Sequence, residues 1–118
     1  FLKRARGMGI ELEGVLASGL LTFLPVDPAE LSPGELTGII REHVEGRGVR
    51  MIAIDSLSGY NHAMRDHGSL LLQMHELLSY LNNQGVVSHL VLAQHGLVGK
   101  LESSVDLSYL SDNVVLLR

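Results

Sequence analysis

Two continuous apolar runs separated by one long amphipathic stretch constrain this chain more than any other feature. Val49 to Asp55 reads VRMIAID, and Val86 to Ala93 reads VVSHLVLA. Continuous rather than alternating hydrophobicity marks a strand covered on both faces, as in parallel sheets. Between the runs, Leu70, Met74, Leu77, Leu78 and Leu81 recur at helical spacing. That stripe predicts a helix from about His67 to Asn83, ended by Asn83-Gln84-Gly85. Strand, helix, strand in this order implies parallel pairing through a right-handed crossover.

The flanking segments extend the pattern. Leu2, Ala5, Met8 or Gly9, Leu12 and Leu16 predict a helix over about residues 1–18, closed by Gly19. Leu20 to Val26, LLTFLPV, has strand length, with Pro25 confining it to a strand end or a sheet edge. Asp27-Pro28-Ala29-Glu30 reads as a turn. Ser32-Pro33-Gly34-Glu35 has the spacing of a capping box with proline at the first helical position. The helix it starts should bury Leu36, Ile39, Ile40 and Val44 and stop near Gly46 or Gly48. Downstream, Gly96 to Ser104 is polar and expected to be mobile. Asp106 to Asp112 suggests a helical turn, and Val114 to Leu117 a last buried strand. The expected class is therefore α/β: a mainly parallel sheet of about four strands flanked by helices, in one domain.

Composition narrows the function. Of 118 residues, 46% are hydrophobic but only 4% aromatic, so the core must be aliphatic. The net charge of −4 argues against a general nucleic-acid binder, which needs a basic face to displace counterions from phosphate. There is no cysteine, hence no disulfide, no thiolate zinc site and no cysteine nucleophile, which suits a reducing cytoplasm. No apolar run reaches the ~18 residues of a membrane span. The chain opens Phe1-Leu2-Lys3-Arg4 without an initiator methionine or signal peptide, which suggests processing or a fragment.

Few residues stand out for chemistry. Met51-Ile52-Ala53-Ile54-Asp55-Ser56 has the form of a Walker B strand, an apolar run ending in an acid. Parallel sheets present their strand carboxyl ends to ligands, and a carboxylate there can hold Mg²⁺ directly or through water. Many such strands end in Asp simply to cap the next turn, an equally good reading of the motif alone. Gln94 occupies the corresponding end of the second run, where an amide can sense a phosphate, orient a water or cap a loop. The six histidines, His43, His62, His67, His75, His89 and His95, show no metal-ligand spacing. His75 follows the stripe residue Met74 and reads as a helix-flank or interface residue. Ser58 lacks the leading glycine of an esterase elbow. Lys3, Arg4 and Arg6 read as a solvated face.

Arg50 to Tyr60, RMIAIDSLSGY, resembles the second nucleotide motif of KaiC-like, RecA-superfamily ATPases. Leu70 to Gly99, LLLQMHELLSYLNNQGVVSHLVLAQHGLVG, is similar to the helix, strand and loop that follow in that family. Val105 to Arg118, VDLSYLSDNVVLLR, is similar to its approach to the next strand. The opening FLKRARGMGIELEGVLASGLLTFLPV resembles its preceding helix and edge strand, so the likeness spans essentially residues 1–118.

The resemblance implies a partial RecA-like P-loop NTPase fold, the Walker B half of an ATP-binding and ATP-hydrolysing domain. It implies a hexamer-forming, clock- or signalling-related protein, with ATP and Mg²⁺ as cofactors of the full-length chain. Asp55 matches the Walker B acid, taking Mg²⁺ through water, and Ser56 accompanies it at the nucleotide. Gln94 falls where RecA-type proteins report on the γ-phosphate. Ser108-Tyr109 aligns with the clock protein's Ser-Thr phosphorylation pair, with the threonine replaced. No Gly-x-x-x-x-Gly-Lys-Ser/Thr loop occurs around Lys3 or Lys100, so the family's phosphate cradle is expected upstream of Phe1 and its last strands after Arg118. The 118 residues alone are then expected to be inactive, with a sheet that closes up or pairs with another copy. A non-enzymatic interaction or oligomerisation module with the same fold is the alternative. A flavodoxin-like response domain is poorer, since Leu24-Pro25-Val26-Asp27 supplies one acid where a cluster is needed.

Reading the parent gene upstream of Phe1 tests the family assignment. A glycine-rich Lys-Ser/Thr loop is expected within about 50 residues, roughly one strand–helix–strand unit. A start codon adjoining Phe1, with no such loop, removes the ATPase reading.

Overall fold

A computed structural model describes residues 1–59, 67–92 and 110–115. The element order is α1 (Leu2–Gly7), α2 (Glu13–Ala17), α3 (Pro33–Arg47), β1 (Met51–Asp55), α4 (His67–Asn83) and β2 (Val87–Val91). Strands β1 and β2 pair directly and in parallel, with Met51 opposite Val87 and Asp55 opposite Val91. Strand, helix, strand order and parallel pairing both follow the two apolar runs and the stripe between them.

The core is built on α4. Leu70, Met74, Leu77 and Leu81 lie at steps of four, three and four, one face of a helix, and all are essentially inaccessible. They join Leu36, Ile40 and Val44 of α3, Leu57, and Val86 in a single cluster. Ile52, Ile54 and Leu90 of the sheet pack against the same cluster. Full burial of each large aliphatic side chain contributes about 1.5–3 kcal/mol. Leu78 and Ile39, expected in the buried stripes, sit at their half-buried margins, and His75 is exposed on the α4 flank.

Both core helices start or stop where local chemistry dictates. The Ser32 hydroxyl accepts from the Glu35 amide, and the Ser32 amide donates to the Glu35 carboxylate, the reciprocal capping box. The Ser32 hydroxyl also donates to the Glu35 carboxylate at 2.7 Å, and this bond, followed by that of the Ser32 amide, holds the Glu35 carboxyl below its ordinary pKa. Gly85 ends α4 in the left-handed region, with φ of 66°, and the Val86 amide returns to the Leu81 carbonyl at 2.9 Å. That closure turns the chain straight into β2. Tyr80 on α4 donates to Glu45 on α3 at 2.8 Å while the Arg41 guanidinium lies 4.4 Å from its ring centre, so the two helices are also clasped at their exposed rim.

Several expectations are corrected. The sheet has two strands among the described residues, not about four. The segment 20–26 is not a strand: it has no regular structure, and Leu20, Phe23 and Leu24 are exposed. Pro25 supplies no amide to a ladder, and no described strand lies beside this segment. Val114 and Val115 are likewise exposed and outside any strand, while Leu116 and Leu117 lie outside the described residues. The helix over 1–18 is two short helices, because Gly9 takes a φ of 76° between them. Arg6 and Glu13 bridge that break as an exposed ion pair. Neither strand is covered on both faces: in each, exposed and half-buried residues alternate, so the helices cover one face only.

Ser32→Ala should cost about 1 kcal/mol at neutral pH, read from chemical denaturation. Glu35 has a depressed folded-state pKa, so its share of the box is present above its unfolded value and lost as pH falls through the folded one. The difference between wild type and Ser32→Ala should therefore narrow in acid. A constant difference down to pH 3 would show that the bond from the Ser32 hydroxyl to the Glu35 carboxylate contributes nothing.

Candidate functional site

The alternation along β1 sends Met51, Ala53 and Asp55 to one face and Ile52 and Ile54 to the other. Ile52 and Ile54 join the core, which leaves Asp55 on the uncovered face, exposed, at the carboxyl end of the strand. Ser56 follows and is half-buried. In β2 the matching set is Val87, His89 and Val91, with Ala53 opposite His89 and Asp55 opposite Val91. Asp55 and His89 therefore share one face, one diagonal step apart. The sequence gives no spacing that ties His89 to Asp55; only the strand register does.

The backbone after Asp55 is fixed by close packing. Residues 57–59 are helical, and Leu57 is 2% exposed, anchoring the turn in the core. A Cβ added at Gly59 would lie 2.9 Å from Cγ of Pro28, closer than real side-chain carbons approach. The turn beginning at Asp27 thus abuts the loop leaving β1. That turn is itself locked: Asp27 Oδ1 accepts from the Ala29 amide at 2.9 Å, and its carbonyl accepts from Leu31 at 2.9 Å.

A cavity of about 370 Å³ is lined by Leu24, Pro25, Val26, Asp27, Glu30, Leu31 and Ile39, and so includes the start of this turn. Its charged lining residues, Asp27 and Glu30, are both acidic. Without a bridging cation, a phosphate group would meet like charge there.

Only part of the sequence-derived site lies among the described residues. Asp55 and Ser56 stand at the carboxyl end of a parallel strand, as the motif requires. Gln94, the segment Gly96 to Ser104 and Ser108-Tyr109 lie outside the described residues. Among the described residues no group of three or more His, Asp or Glu side chains converges to hold a metal ion. Mg²⁺ is ordinarily held by one or two carboxylates together with water and substrate phosphates. Asp55 supplies one carboxylate of the kind such a site uses and does not make a metal centre by itself.

No family model matches the chain, and neither a curated protein nor a solved structure matches it.

Gly59→Ala should destabilise the fold by about 1–3 kcal/mol, the usual cost of forcing extra atoms into a packed contact. Adding Pro28→Ala, which removes the Cγ, should recover part of the loss in a double-mutant cycle. Strictly additive effects would mean that the turn and the loop after β1 do not press on one another.

Proposed function

We propose that this chain is part of a KaiC-like, RecA-superfamily ATPase domain, in which ATP is bound and hydrolysed by the full-length protein. The observation that carries the reading is Asp55-Ser56 at the exposed carboxyl end of a strand in a parallel ladder, where open α/β sheets take their ligands. It is supported by the likeness of Arg50 to Tyr60 and Leu70 to Gly99 to the nucleotide motif and following segments of that family. In this reading the RecA-like sheet is completed by strands outside β1 and β2, and copies of the protein assemble as the family's rings do.

Asp55 is assigned to hold the water shell of a nucleotide-bound Mg²⁺, with the Ser56 hydroxyl as an added polar contact. When bound with ATP, the ion neutralises charge building on the phosphate oxygens. Gln94, three residues past Val91, is assigned to orient the attacking water and to couple nucleotide state to Gly96–Ser104. The phosphate cradle is not among these residues, which contain no glycine-rich Lys-Ser/Thr loop.

A second reading draws on a separate observation. The outer face of the sheet carries Met51, Val87 and Val91 at 63%, 52% and 45% exposure. Together with Asp55 and His89 on the same face, these exposed apolar side chains suit an interaction or oligomerisation module that keeps the fold without the chemistry.

One experiment decides between them, and a second tests the assigned division of the site. In the full-length protein, Asp55→Asn should lower ATP turnover roughly 10–100-fold, the usual effect of losing a group that orients a metal's shell, while the thermal midpoint is unchanged. Unaltered turnover sinks the ATPase reading and favours the module. Separately, calorimetric titration of the 118-residue chain with Mg-ATP should show no binding tighter than about 1 mM. Low-micromolar binding would mean that a phosphate cradle exists within these residues and that the assigned division of the site is wrong.

A further inference from the structure

We draw no further inference here: the strongest candidate, the uncovered outer face of the two-stranded sheet formed by Met51, Ala53, Val87 and Val91, carries nothing because nothing in the structure shows what covers it.

Discussion

The described body of this protein depends on one ridge of side chains. Leu70, Met74, Leu77 and Leu81 of α4 meet Leu36, Ile40 and Val44 of α3 and the inner sheet residues Ile52, Ile54 and Leu90 in a single aliphatic cluster. Met74 and Leu77 are fully excluded from solvent. A two-stranded sheet is marginal in water without such a partner, so β1 and β2 owe their existence to the helix laid across them. The capping box on α3 and the Gly85 closure of α4 are subordinate to this contact: they fix where each helix begins or ends, and so which residues face the ridge.

What could be read in advance follows from how local each signal is. The bounds of α4 and the capped start of α3 lie in side-chain periodicity and in hydrogen bonds between residues three apart, which are visible in one dimension. The parallel pairing of β1 and β2 follows from their apolar runs and the intervening helix. Where strand expectations failed, the segments lacked a partner among the described residues rather than hydrophobicity. Leu20 to Val26 and Val114-Val115 have strand-like composition, but a strand is stabilised by what lies beside it, and that is not written in the segment itself. The helix over 1–18 had helical spacing, but Gly9 broke it by taking a conformation that its neighbours could not, and of the stripe only Ala5 is buried while Leu2 and Met8 are exposed.

The same limit applies to the candidate site. Asp55 was legible because an acid closing an apolar run is a local pattern. Its alternation-mates Met51 and Ala53 are equally local, but the run was too uniformly apolar to show which face the helices cover. The proximity of His89 depends on register, and the contact between Gly59 and Pro28 joins residues far apart in sequence. The cavity beside that contact is acidic for a reason no single motif shows: Asp27 and Glu30 bracket a turn whose apolar neighbours form its walls.

The pairing of β1 with β2 also bears on how the chain reaches this state. Partners in the ladder, such as Met51 and Val87, are 36 positions apart, so the strands cannot zip from a tight turn as a hairpin does. Closing a span of that length costs chain entropy before any ladder bond repays it. Helix α4 lies within the span and is built from contacts three and four residues apart, so its early formation shortens the flexible length to be closed. The ladder is then expected to form after the helix, with Asp55, at its far end, among the last residues to be placed.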